Sequence, residues 1–157
     1  MISQLVKIKQ IKADRAEHSL QKQQQILAQA NAHLNQANLA ACDYRVWRKQ
    51  EEVRLFAQAK ESFLKLKELE QLQQHIAILH DKEATLEQEV AEIELQRNSE
   101  QDTLKQRHKA ALLANKATEK FKLLQQQDDI EREYLAQYQE EMEQEDHRIM
   151  SIGELPC

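Results

Sequence analysis

Glycine and proline, the two residues that most readily break a helix, are almost missing from this chain of 157 residues. The single glycine and the single proline, Gly153 and Pro156, both lie in the last five positions. Compact globular domains need tight turns, and turns draw heavily on these residues. Charged side chains make up 31% of the sequence and aromatic ones 4%, a composition typical of long helices. We therefore expect an all-α protein with few bends, whose apolar residues lie along a seam between helices.

Other absences exclude classes of site. The two cysteines, Cys42 and Cys157, are too few for a disulfide framework or a cysteine-based zinc site, and no two of the six histidines are four residues apart. No glycine-rich phosphate loop and no nucleophile beside a base are present, so we predict no cofactor, no metal and no enzymatic activity. No run of ten apolar residues occurs, which predicts neither a membrane span nor a signal peptide, hence a mature, cytoplasmic chain.

Charge is distributed unevenly along the chain. The net charge is −5 and the isoelectric point about 5.7, which argues against nucleic acid as a partner because its binding requires a basic footprint. Residues 1–22 carry five basic side chains against Asp14 and Glu17, whereas residues 128–146 carry nine acidic side chains against Arg132 alone. The two end segments therefore have opposite charge.

Apolar residues recur at alternating spacings of three and four, the heptad pattern of a coiled-coil seam. The first row contains Val6, Ala13, Ala16, Leu20, Leu27, Ala30, Leu34, Ala37, Ala41 and Tyr44, with Lys9 and Gln23 as polar exceptions. The second row contains Leu69, Leu72, Ile76, Leu79, Leu86, Val90 and Ile93, interrupted by Glu83. A third, weaker row contains Leu104, Ala111, Ala114, Phe121, Leu124, Ile130, Leu135 and Tyr138. These rows predict helices that pack lengthwise.

Three arrangements could bury these rows: a long rod that dimerises, a two-helix hairpin, or a three-helix bundle. In an antiparallel hairpin the position numbers of facing residues add to a constant. A constant of 158 pairs apolar residues along most of the chain, for example Leu34 with Leu124, and also sets Lys12 opposite Asp146. It places the bend at position 79, with Asp81 as the N-cap of the second helix.

We therefore predict an all-α fold, a two-helix antiparallel coiled-coil hairpin with a turn near residues 77–82. The chain 1–157 is predicted to be a single elongated coiled-coil domain, a long rod, with a short irregular tail at 153–157. We predict that the isolated protein is a monomer, because the second half of the chain covers the apolar rows of the first.

The stretch ACDYRVWRKQEEVRLF at 41–56 contains the only tryptophan, Trp47, and four of the seven aromatic residues lie between positions 44 and 63. The heptad pattern expects apolar residues near 48 and 51 but finds Arg48 and Glu51, so the seam is interrupted here. Trp47 either covers Ala110 and Ala111, which face it in the 158 register, or serves as an exposed anchor for a partner. Both interpretations stay open at this point.

Four segments carry a resemblance to a known family: DYRVWRKQEEVRLF at 43–56, the opening MISQLVKIKQIKADRAE, the string IAILHDKEA and the acidic segment YQEEMEQED. Along essentially its whole length the chain resembles the YscO family of type III secretion, the relatives of the flagellar export protein FliJ. The W-R-x-x-E-E-x-R-L-F string at 47–56 is the most specific part of the resemblance.

The resemblance implies a non-enzymatic stalk that links the hexameric secretion ATPase to the cytoplasmic domain of the export gate. It also implies binding of the chaperones of exported translocator proteins, at the cytoplasmic face of the secretion apparatus. By analogy with the gamma subunit of rotary ATPases, we expect residues 1–25 and 135–155 to enter the ATPase ring. Candidates for the gate or chaperone contact are Tyr44, Trp47, Arg48, Arg54, Phe56 and Phe63.

Two other functions stay open on the sequence alone. The chain could be a generic cytoplasmic scaffold or tether that dimerises through its seam. The basic, amphipathic residues 1–15 could instead lie on a membrane surface, although the 158 register places acidic residues opposite them. We expect no stable membrane insertion.

Overall fold

The computed structural model describes residues 1–61 and 65–153, and over these ranges it consists of two helices. Helix α1 spans Ile2–Glu61 and helix α2 spans Leu66–Gly153. Contacts join early positions of α1 to late positions of α2, as in the pair Lys9 and Thr118, so the helices run antiparallel. The predicted all-α hairpin is confirmed. Of the predicted tail, Gly153 belongs to α2, and the other four positions lie outside the described residues.

The predicted position of the bend is wrong. Residues 77–82 lie well inside α2, where the Thr85 hydroxyl donates a hydrogen bond to the Asp81 carbonyl at 3.0 Å. Asp81 is therefore not an N-cap. The second helix begins instead after Lys65, whose carbonyl accepts the first helical bond, from the Leu69 amide at 3.1 Å. The Glu68 carboxylate reaches back to the Lys65 backbone amide at 3.4 Å, the return half of a capping box.

The register of the hairpin also differs from the prediction. Cross-helix contacts join positions whose numbers add to between 123 and 132, not 158: Gln23 with Glu100, Tyr44 with Leu79, Lys9 with Thr118 and Arg48 with Glu83 are examples. The 158 register pairs mainly apolar residues and sets Gln23 opposite Leu135. In the structure the polar exceptions of one seam meet polar groups of the other. Buried polar groups need such partners, and this requirement selects the observed register.

The chain divides into two compact units, each built from a stretch of both helices. One comprises Met1–His18 and His108–Cys157, and its most buried residues are Ala13, Ala111 and Thr118. The other comprises Ser19–Arg107, and its most buried residues are Leu20, Gln23, Ala41, Arg48 and Leu79. Most of these side chains belong to the predicted seam rows, and Arg48 and Thr118 continue the same spacing of three and four residues. The predicted organisation as a single domain stays a prediction.

The first predicted row is confirmed in full, since all its members and both of its polar exceptions are buried or partly buried. The third row is correct only as far as Phe121. Leu124, Ile130, Leu135 and Tyr138 are all exposed, and so is every residue of 129–152. The reason is the register, which brings the start of α1 opposite positions near 126. We call residues 129–152 the α2 overhang, because they form helix without a partner from α1.

Candidate partner-binding surfaces

A cluster of charged side chains occupies the seam where the heptad pattern is interrupted. We call Arg48, Glu52, His80 and Glu83 the Arg48 cluster. The Arg48 Nη1 atom lies 2.9 Å from Glu52 Oε1, and the Arg48 Nε atom forms an ion pair with Glu83 Oε2. His80 Nε2 lies 2.5 Å from Glu52 Oε1. Only 10% of the Arg48 side chain is exposed, so the cluster replaces an apolar seam layer with a compensated charged one.

Glu83 is the acidic centre of this region, because it also faces Arg45. The Arg45 Nε atom lies 3.0 Å from Glu83 Oε1, and Arg45 Nη2 lies 2.7 Å from Glu87 Oε1. Burial by itself raises the pKa of Glu83. The hydrogen bond from Arg45 and the charge of Arg48 outweigh that effect, and the pKa stays below its ordinary value. Glu83 is therefore held in its charged form.

Tyr44 fixes the layer next to the cluster. Its hydroxyl donates a hydrogen bond to the Leu79 carbonyl at 2.9 Å, and Lys82 Nζ lies 5.2 Å from the centroid of its ring. Burial raises the pKa of the Tyr44 hydroxyl. The ring of Trp47 lies 5.6 Å from that of Tyr44 at an angle of 39°. Trp47 thus rests on Tyr44 rather than on Ala110 and Ala111, which face it in the 158 register. Trp47 remains 47% exposed.

The remaining sequence-predicted residues do not all lie on the Trp47 side of α1. Phe56 is 52% exposed, but nine residues at about 100° each place it about 180° around α1 from Trp47. Arg54 lies seven residues from Trp47, on nearly the same side, and donates two hydrogen bonds to the Glu51 carboxylate, one of them at 3.0 Å. The hydrogen bond with Arg54 lowers the pKa of Glu51. Phe63 lies outside the described residues.

The sequence analysis missed an exposed apolar row on α1. Leu39, Val46 and Val53 are 63%, 53% and 70% exposed and follow one another at seven-residue steps, so they lie on one face away from the seam. The sequence does carry a signal for this surface, because the seven-residue spacing of these three residues is a heptad spacing on another face of α1. The members of this row lie outside the rows that predict the interior of the hairpin.

The α2 overhang offers a further exposed surface. Leu135, Met142 and Ile149 continue, at seven-residue steps, the row that contains Phe121 in the seam, but they are 57%, 45% and 67% exposed. Tyr138 lies between the first two of them and is 53% exposed. Contiguous exposed apolar residues of this kind mark interaction sites in soluble proteins. The surface is framed by the acidic residues of 128–146.

Within the described ranges, no group of three or more His, Cys, Asp or Glu side chains is arranged to hold a metal ion. Neither helix, over the part of the chain that the structure describes, has a stretch long and apolar enough to span a bilayer.

These features define a class of protein: an all-α hairpin with a charged layer in its seam and exposed apolar rows on its helices. A family model described as "Type III secretion protein YscO" matches residues 2–148. The chain belongs to the YscO family of type III secretion, and the resemblance found in its sequence is confirmed.

Two relatives support this assignment. The chain is 40% identical over 93 residues to "Yop proteins translocation protein O" of Yersinia pseudotuberculosis serotype I (strain IP32953), a match that covers 59% of this chain and 60% of that relative. The structure is similar to the crystal structure of the type III secretion protein YscO from Vibrio parahaemolyticus, with a TM-score of 0.86 and 47% identity. That match covers 93% of this chain and 92% of the other. This membership supports a role in type III secretion.

Proposed function

We propose that the chain is a non-enzymatic stalk at the cytoplasmic face of the secretion apparatus, linking the secretion ATPase to the export gate and binding translocator chaperones. The observation that carries this proposal is the α2 overhang. It is a single helix with an exposed apolar row, and a single helix needs less space inside a ring of subunits than a helical pair does.

The structure changes which residues we assign to the ATPase end. The 158 register pairs residues 1–25 with residues 135–155 at the end of the hairpin that is expected to enter the ATPase ring. This pairing is wrong, since α1 begins opposite positions near 126. We now assign the ATPase contact to the α2 overhang, with Leu135, Tyr138 and Met142 as its apolar residues. Residues 1–25 lie beside the covered part of α2 and act as its support.

We assign the gate or chaperone contact to the other compact unit. Trp47 presents a half-exposed ring that is held in place by Tyr44, and Arg54 lies on nearly the same side. Arg48 acts from within the seam, where its ion pairs fix the helix that carries Trp47. A large ring on a fixed helix is a favourable anchor, because little side-chain entropy is lost on binding.

Phe56 lies on the opposite side of α1, near the row of Leu39, Val46 and Val53, so we assign it to a separate contact. Phe63 stays a candidate from the sequence. Two faces on one helix fit a protein that meets both a gate and a chaperone.

Co-elution from a size-exclusion column tests the proposal, with the cognate secretion ATPase, the gate cytoplasmic domain and a translocator chaperone each offered in turn. Trp47→Ala is expected to weaken gate or chaperone binding at least about tenfold and to leave ATPase binding unchanged. Tyr138→Ala with Met142→Ala is expected to do the reverse, so each variant is the control for the other. Wild-type protein that binds none of the three would refute the stalk and would favour the scaffold.

A further inference from the structure

The two end segments of the chain carry opposite charges that the molecule itself leaves unpaired. In residues 1–22, Lys7, Lys12, Arg15 and Lys22 form no ion pair with any described residue, and in residues 128–146 the one ion pair within the described part of the chain joins Arg132 to Asp128. Eight further acidic side chains in that segment are left without a cationic partner among the described residues. Each segment therefore has a strong unbalanced field.

Both charged segments also expose apolar residues in a heptad pattern. On α1, Ile8 and Ile11 are 49% and 51% exposed, and Arg15 and Lys22 continue their row at spacings of four and seven. On the overhang, Leu135, Tyr138, Met142 and Ile149 form the corresponding row. Apolar contact and charge are the two properties that determine helix pairing. The two faces are complementary in both, because each carries an apolar row and their charges are opposite.

The two faces cannot meet within one chain. Helix α1 begins at Ile2 and pairs with α2 positions near and before 126, while the overhang continues away from it as part of the same uninterrupted helix. Bringing residues 135–149 back onto residues 8–22 would require α2 to break, and no described residue between them is a glycine or a proline. A second molecule is needed to supply the missing partner.

We propose that the occupant of this surface is a second copy of the chain. The α2 overhang of each copy packs against the face of α1 that carries Ile8, Ile11 and Arg15 in the other copy, in a two-fold symmetric pair. Under this symmetry the two α2 helices run in opposite directions. Each overhang therefore runs parallel to the α1 segment that it contacts, since α1 is antiparallel to its own α2. Overhang against overhang is excluded, because both are acidic.

The proposal does not depend on the stalk function and is tested on the isolated chain. It replaces the sequence-based expectation of a monomer by a salt-dependent pair. Because the pair would cover the surface that we assign to the ATPase, self-association and ATPase binding are expected to compete.

Sedimentation velocity of the full chain, at concentrations on the order of 0.1 mM, provides the first measurement. We expect a dimer at about 0.05 M salt and a shift to monomer at about 1 M, where the Debye length falls to about 3 Å.

Charge reversal in either end segment is expected to weaken the dimer at least about tenfold. One variant combines Lys12→Glu with Arg15→Glu, and the other combines Glu140→Lys with Glu143→Lys. Lys49→Glu with Lys67→Glu, exposed in the other compact unit, is the charge-matched control and is expected to retain it.

Mixing the two end-segment variants gives the decisive result. In the mixed pair one contact keeps the wild-type charges, and at the other the two new lysines of one variant face the two new glutamates of the other. Association is therefore expected to return although each variant alone has lost it. A wild-type monomer at low salt, a dimer that both variants retain, or a mixture that fails to associate would each overturn the proposal. Circular dichroism confirms that the exposed substitutions leave the helices formed.

Discussion

Arg48 of α1 and Glu83 of α2 form an ion pair inside the helical seam, with side chains only 10% and 13% exposed. The pair lies where the heptad pattern of the sequence is interrupted. Glu52 is a second partner of Arg48, and Arg45 is a second partner of Glu83. A buried charge that meets its counterion in only one register penalises every other register, because slipping the helices would leave it unpaired.

Removing one member of this pair is expected to destabilise the hairpin. Glu83→Ala leaves Arg48 partly buried with Glu52 as its remaining partner, and we expect a loss of about 2 kcal/mol in the free energy of unfolding. The measurement is urea unfolding followed by circular dichroism. Arg132→Ala, which breaks the exposed ion pair with Asp128, is the control and is expected to change stability by less than about 0.5 kcal/mol.

The double variant Arg48→Met with Glu83→Met tests whether the charges act as a pair. Its loss of stability is expected to be smaller than the sum of the two single losses by at least about 1 kcal/mol, because neither charge is left without its partner. Strictly additive losses would contradict a direct interaction.

Tyr44→Phe is expected to lower the free energy of unfolding by about 1 kcal/mol. The substitution keeps the ring on which Trp47 rests and removes only the hydroxyl that donates to the Leu79 carbonyl. Tyr134→Phe, at a position that is 69% exposed, is the matched control and is expected to have no effect in the same urea titration. Equal losses in the two variants would argue against the hydrogen bond to Leu79.

The observed register is tested by disulfide crosslinking within one chain, with Cys42 and Cys157 replaced by serine. Cysteines at 16 and 111 are expected to bridge, because these positions lie one heptad from the contact between Lys9 and Thr118. Cysteines at 16 and 142, which face each other in the 158 register, are expected to stay reduced within a monomer. Analysis at high salt and low concentration separates bridges within a chain from bridges between chains, and the opposite pattern would restore the 158 register.

Acid is expected to weaken the hairpin through Glu83. Its pKa lies below the ordinary value of 4.5 when the chain is folded, so as the pH falls the unfolded chain takes up the proton first. The stabilising contribution is present in full above about pH 4.5 and is lost as the pH falls through the folded pKa. Urea midpoints between about pH 7 and pH 3 measure this loss.

Glu83→Gln serves as the test variant for that pH dependence. It is expected to be less stable than the wild type at neutral pH and to lose less stability in acid, since the carboxylate that titrates is gone. Glu119→Gln, an exposed position, removes a carboxylate of the same type and is expected to leave the acid-induced loss as in the wild type. Parallel curves for wild type and Glu83→Gln would exclude this carboxylate as the cause.

The interior of α1 could be predicted from the sequence residue by residue. From Val6 to Tyr44 the apolar row and its polar exceptions Lys9 and Gln23 are buried or partly buried as the heptad spacing predicts. The spacing fixes which face of a helix is apolar, and that face is buried against whatever partner is available.

The bend could have been found by weighting polar residues as well as apolar ones. Gln23 donates hydrogen bonds to the carboxylate of Glu100 at 2.6 Å and to its backbone carbonyl at 3.1 Å, and Arg48 meets Glu83. Matching these rare polar seam positions gives sums of 123 and 131, as the structure has them, whereas matching apolar residues alone allows several registers. Leu and Ala are so frequent that their coincidence has little discriminating power.

For the candidate contact residues, the sequence indicated the region but not their individual positions. It marked Tyr44, Trp47 and Arg48 as one cluster, and the structure divides them into a seam layer, with Tyr44 and Arg48, and a half-exposed ring, Trp47. The exposure of a side chain on α1 depends on which α2 residues lie opposite it. Those residues follow only from the register, which the sequence analysis predicts wrongly.

By itself the sequence determined that this chain forms long helices, that it folds back once, and that it belongs to the YscO family. Composition and heptad spacing are local properties, and the family segments are read directly. Only the tertiary structure decided where the chain turns and which residues stay uncovered. Those depend on polar contacts between distant positions, such as the hydrogen bond from the Thr118 hydroxyl to the Lys9 carbonyl. No single segment of the sequence contains both partners of such a contact.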